Sequence, residues 1–171
     1  TKLCVQNAIP PFDDPPYNDS GEPAFLNEWL RADVEYQLIG RAAVSMLSEA
    51  LKQFFVTWER RTWKEPPCAK GFKKAFESGF IAGYVQCFSK SLELDWSTCP
   101  ADLDMLKQVV LARNRAQHSD LVLDHLTHDE KSLQAYPRPF FVRPEDEGLD
   151  LESINFLSPT IHINREKLFE A

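Results

Sequence analysis

From Pro23 onward, large apolar residues recur at three- and four-residue steps and their multiples: Leu30, Val34, Leu38, Val44, Leu51, Phe55 and Trp58. That is the period of a helix with one face turned to a core. Proline suits a first helical turn, so the pattern predicts one long helix over roughly 23–62, or two broken near Gly40, closed by Pro66-Pro67. A second series, Phe72, Phe76, Phe80, Tyr84 and Phe88, steps by four and predicts another helical region over about 70–91. Its aromatic stripe reads as core. Gly79 and Gly83 inside it weaken a helix by about 1 kcal/mol each relative to Ala, and two glycines four apart predict a close approach between helices. Leu103, Leu106 and Val110 give the buried face of a third helix, reaching about residue 118. Thr98 or Cys99 ahead of Pro100 would open it, with Asp102 and Asp104 in the first turns, where negative charge is favourable.

The flanks read differently. Residues 1–22 hold Pro10-Pro11, Asp13-Asp14-Pro15-Pro16 and Asn18-Asp19-Ser20-Gly21, the composition of an extended arm that Phe12 and Tyr17 would pin to the body. After Asp120, Leu121-Val122-Leu123 either prolongs the third helix or opens a new one. Residues 136–150 carry Pro137, Pro139 and Pro144 and read as irregular. Thr160-Ile161-His162-Ile163 alternates like a short strand with His162 outward, and Asn164 reads as the cap of a terminal helix. The expected fold class is mainly α, an antiparallel helical bundle of four to five helices, with 1–22 as an arm and 23–171 as a single domain.

Length and composition fit that picture. A chain of 171 residues with 43% hydrophobic and 12% aromatic content is long and apolar enough to bury one core. No apolar run reaches the length of a membrane span, and no basic-then-apolar leader opens the chain. The chain begins at Thr1 and stops at Ala171 inside an expected helix, as a trimmed piece of a longer protein would. Cys4, Cys68, Cys87 and Cys99 form no C-x-x-C pair. Cys87 in its apolar helix reads as a buried reduced thiol, which points to a cytoplasmic protein.

The net charge of −7 disfavours broad nucleic-acid binding, yet the charge is uneven. Residues 59–74 carry Arg60, Arg61, Lys64, Lys70, Lys73 and Lys74 against Glu59 and Glu65, while 144–152 carry five carboxylates and no base. The basic run is either a local RNA contact or a solvated helix–helix corner.

The stretch richest in chemistry is Arg113-Asn114-Arg115-Ala116-Gln117-His118 at the end of the third helix. An always-charged guanidinium, an amide and a titratable imidazole suit stabilising a phosphate and moving protons around it. Arginine followed by a polar residue, with histidine a few positions on, resembles the signature of the HEPN superfamily. The resemblance covers about 95 residues, by pattern rather than matched sequence outside the motif. It implies a HEPN-like helical bundle and a metal-independent endoribonuclease acting through the 2′-hydroxyl of RNA, with no cofactor. By the same resemblance Arg113 would stabilise the phosphate, His118 would carry a proton, and Asn114 would orient one of them; Arg115, three before His118 on the same helix face, would add a phosphate contact. A toxin, defence or RNA-processing role would follow, with an antitoxin protein as partner. In HEPN toxins controlled by a nucleotidyltransferase, a tyrosine lies two residues past the histidine. Here that residue is Asp120, which puts this form of control in doubt.

On a straight helix Arg113 and His118 point about 140° apart, whereas Asn114 and His118 share a face. Either the helix ends or distorts between them, or Arg113 reaches around, or a twofold dimer sets two motifs in one cleft, as the HEPN resemblance also implies. Two plainer readings stand beside this one. Arg113 and His118 would simply satisfy a helix C-terminus, or the chain would be a catalytically silent helical module for dimerisation or for binding a nucleotide or partner. His125 and His128, flanked by Asp124 and Asp129, are the alternative metal site. No G-x-S-x-G elbow or glycine-rich phosphate loop is present.

Overall fold

The structure, a computed structural model, describes residues 25–117, 130–142 and 161–171. The expectations for the 1–22 arm, for His118 and Asp120, for His125 and His128, and for the acidic run lie outside them. Among the described residues every regular element is helical: α1 (Leu26–Thr62), α2 (Cys68–Gly71), α3 (Lys73–Phe76), α4 (Phe80–Leu92), α5 (Leu103–Gln117), α6 (Glu130–Ala135) and α7 (Arg165–Glu170), with one 3₁₀ turn at Trp96–Thr98. The chain is a mainly α bundle, as its periodicity predicts.

Helix α1 runs unbroken through Gly40. A Cβ there would meet the Cβ and carbonyl oxygen of Ile163 at 2.9 Å, so this glycine admits the C-terminal segment against the helix. The second helical region is not continuous. Gly79, with φ of 105°, separates α3 from α4 in a conformation that side-chain-bearing residues avoid. Gly83 does mark a close approach, but the neighbour is the Phe76 ring of α3, 2.5 Å from where a Cβ would stand. The cap of α5 is Asp102, whose Oδ1 accepts the backbone N–H groups of Asp104 and Met105 at 2.9 and 3.0 Å. Thr98 instead ends the 3₁₀ turn.

Two cores form. Phe55, Cys68, Ile81, Tyr84, Cys87 and Phe88 build an aromatic one between α1, α2 and α4, and Leu106 and Val110 of α5 lean on it. Val44, Val109, Ala112, Phe141, Ile161 and Ile163 build the other. Thus the residues of α5 that are wholly buried are Val109 and Ala112, while Leu106 and Val110 are only half-buried. Residues 161–164 adopt no strand. Ile161 and Ile163 are buried and His162 half-buried, and the His162 N–H reaches the Phe141 carbonyl at 2.9 Å. The alternation sets burial here without a ladder. Asn164 caps α7 as expected, accepting the Lys167 N–H at 2.8 Å.

The reduced-thiol reading of Cys87 is corrected. Its sulfur is bonded to Cys68, with Cα atoms 5.4 Å apart, and both residues are fully buried. The inference of a reducing compartment loses its premise with it, since such bonds persist where the surroundings oxidise. Among the described residues no helix is long and apolar enough to cross a membrane.

Candidate functional site

Burial of Val109 and Ala112 fixes how α5 is rotated. Each residue advances about 100° around the axis, so Asn114 points away from the core while Arg113 and Arg115 flank the buried face of α5. Arg113 and Arg115 are half-buried and Asn114 is exposed. Arg113 donates from Nη1 to the Asn114 Oδ1 at 2.9 Å. Among the described residues no carboxylate forms an ion pair with Arg113. The amide oxygen that holds the guanidinium carries no net charge of its own. One residue before His118, Gln117 donates to the Ser45 Oγ at 3.4 Å and ties the end of α5 to the middle of α1.

Asn114 also borders a cleft of about 480 Å³ between the start of α4, the outer side of α5 and α6. Phe80, Val110 and Leu111 supply apolar wall, and Lys107 and Tyr136 the polar edge. The Lys107 ammonium donates to the Asp104 Oδ1 at 2.8 Å. That hydrogen bond and charge hold Asp104 below the usual carboxylate range and raise Lys107. Burial raises Tyr136 beside them. The size falls within the range of small-ligand sites. Of these groups the Asp104–Lys107 pair is legible as an i, i+3 spacing on a helix. Tyr136 is brought in by the chain's return and leaves no local signal.

The basic run lies elsewhere. Arg60, Arg61, Lys64, Lys70, Lys73 and Lys74 are all exposed, from the last turn of α1 through α2 and α3. Leu106 and Val110 pack with Phe55, whereas Ala112 packs with Val44. Helices α1 and α5 therefore run antiparallel, and Arg60 is roughly 24 Å along α1 from the level of Ala112. The run and the Arg113 motif do not converge within one copy. Among the described residues no three His, Cys, Asp or Glu side chains gather as a metal site.

Comparison with family models, curated proteins and solved structures gives no match.

Proposed function

We propose that the chain is a metal-independent endoribonuclease of HEPN type. Arg113 holds the scissile phosphate, Asn114 orients the guanidinium, and His118 transfers a proton to or from the reacting oxygens. Arg115 adds a second phosphate contact, and Arg60, Arg61, Lys64, Lys70, Lys73 and Lys74 hold RNA further along its backbone. The observation that supports this reading is the hydrogen bond from the half-buried Arg113 to the exposed Asn114, with no carboxylate among the described residues on the guanidinium. A guanidinium kept for structure is usually matched by an acidic partner or by carbonyls at a helix end. One held by an amide is preorganised for a ligand anion, and preorganised charge commonly contributes more than any other effect to such catalysis.

The chemistry needs no metal. Attack by the 2′-hydroxyl forms a bond to phosphorus and expels the 5′-oxygen, leaving a 2′,3′-cyclic phosphate. An imidazole near its ordinary pKa contributes about 10²–10⁴-fold to such proton transfers. The disulfide places no demand on this chemistry, but it favours an oxidising compartment over the cytoplasm. The test is cleavage of RNA by the full chain beside Arg113→Lys. A point charge cannot reproduce the two-pronged contact, so the lysine variant should lose most activity; full activity in it would remove the role given to Arg113.

A further inference from the structure

Toward its C-terminal end the exposed face of α1 becomes uniformly basic. From Ala50 to Lys64 the exposed charged residues are Lys52, Arg60, Arg61 and Lys64. The one acid in that stretch, Glu59, is buried and accepts the Cys68 N–H and the Tyr84 hydroxyl, so its carboxylate is turned inward. Among the described residues none of the four basic side chains forms an ion pair. An aromatic ring lies uncovered in the same place. Phe54 is 58% exposed. Its ring neighbours Phe55 and Trp58 lie 5.6 and 5.8 Å away between centroids, turned 71° and 51° from its plane. They brace the ring without lying parallel on it, which leaves flat aromatic surface to solvent. Ala50, Gln53, Phe54, Thr57, Trp58 and Arg61 line one groove of about 460 Å³. Arg61 follows Phe54 by seven positions, almost two full turns, so its guanidinium starts about 10 Å further along the same face. The exposed Glu49 accepts the Gln53 amide at 2.8 Å, at the opposite end of the groove from Arg61.

We propose that this end of α1 is a single-stranded nucleic-acid site, where one base stacks on the Phe54 ring and Arg61, with Arg60 and Lys64 behind it, holds the phosphates that follow. A single strand alternates flat π faces with negative charges, and this surface offers the complement of both. Stacking asks only for a π face, so every base qualifies, and cations tracking the backbone are the usual other half of such sites. An acidic peptide or a lipid headgroup would match the charge but offers no flat face to the ring. Phe54 projects away from the cores, whereas α5 packs on the side of Val44 and Phe55. The site therefore holds a strand at a distance from Arg113 and takes no part in bond breaking. It rests on the ribonuclease reading only in naming RNA, rather than DNA, as the strand it serves.

The experiment is fluorescence anisotropy of the full chain with a labelled oligothymidine of about 12 nucleotides, at low salt because the net charge is −7. This strand has no 2′-hydroxyl, so the route proposed above does not cut it and binding is read apart from cleavage. Phe54→Ala should weaken binding about 5- to 150-fold, the range for one stacked base, with helical circular dichroism unchanged because the ring is exposed. Phe54→Leu, apolar but without a ring, should bind as poorly, and Phe54→Tyr should bind like the wild type. Arg61→Ala should flatten the slope of log affinity against log salt by about 0.7, the share of one phosphate in a single strand. A wild type that does not bind, or a Phe54→Leu chain that binds like it, would overturn the assignment. So would binding to phosphatidylserine vesicles or polyglutamate in place of the oligonucleotide. Phe54-dependent binding with RNA left uncut would sustain this site and remove the ribonuclease reading, so the two failures are distinguishable.

Discussion

Tyr84 donates its hydroxyl to the Glu59 Oε2 at 3.2 Å, joining α4 to the last turn of α1 inside the aromatic core. The other carboxylate oxygen accepts the Cys68 N–H at 2.9 Å. Glu59 is thus buried as a bracket between α1, the start of α2 and α4. Burial, and then the neighbouring Glu59 charge, push the Tyr84 phenol up to about 12. The neutral phenol is the form the fold favours. Its contribution to stability is intact up to the ordinary tyrosine range near 10 and is lost as pH rises from there toward about 12. Chemical denaturation across that window should show falling stability in the wild type and a weaker fall in Tyr84→Phe. In a phenolate absorbance titration, the latest-titrating tyrosine should vanish in the same variant.

The Cys68–Cys87 bond closes a loop of 19 residues between the start of α2 and α4. Chain entropy for a loop of that size corresponds to about 3 kcal/mol. Cys87→Ser should cost about that much in urea denaturation, with the loss larger if the aromatic core opens. Alkylation of the native, unreduced chain should spare both buried cysteines and label Cys99, the free one among the described residues. Equal labelling of Cys87 would show the bond to be absent.

Gly40→Ala sets two effects against each other. Alanine is the better helix former by about 1 kcal/mol. The added Cβ, however, would stand 2.9 Å from the Ile163 carbonyl oxygen and Cβ, atoms that cannot rotate away. Overpacking of this kind costs about 1–3 kcal/mol, so the substitution should destabilise the chain on balance. A gain in thermal midpoint would mean that the C-terminal segment does not seat on α1.

Lys167 is buried and donates from Nζ to the Phe140 and Val142 carbonyls at 2.6 and 2.7 Å. Lys167→Met keeps the length and the apolar stem but strands two acceptors. At about 1–3 kcal/mol for each buried group left without a donor, it should loosen 140–142 and α7. Faster hydrogen exchange confined to these segments is the signature to look for.

Much of this fold is legible in the sequence because it is written in local periods. The four-residue aromatic step names the residues of the α4 core, and Asn164 announces α7. What stays hidden depends on contacts between distant segments. Periodicity treats Leu38 and Val44 alike, yet only Val44 is covered, because the C-terminal segment returns to that side of α1. The break at Gly79 looks like a helical glycine until its positive φ is known. The disulfide needs two cysteines 19 residues apart to meet, which no spacing rule announces. Of the site, Arg113 and Asn114 are legible by type and spacing. Their hydrogen bond to one another, and the distance from the basic run to Asn114, follow only from the packed helices.

The proposed ribonuclease activity requires Arg113 and His118 and no metal. Its most direct test is total RNA incubated with the purified chain in excess EDTA, beside Arg113→Ala, His118→Ala and a double His125→Ala, His128→Ala control, with the new ends characterised. Cleavage by the wild type and the control, leaving 2′,3′-cyclic or 3′-phosphate ends, with each of the other two variants folded and nearly inactive, is the predicted result. Full activity in His118→Ala, cleavage only with a divalent ion, or intact RNA throughout would contradict it.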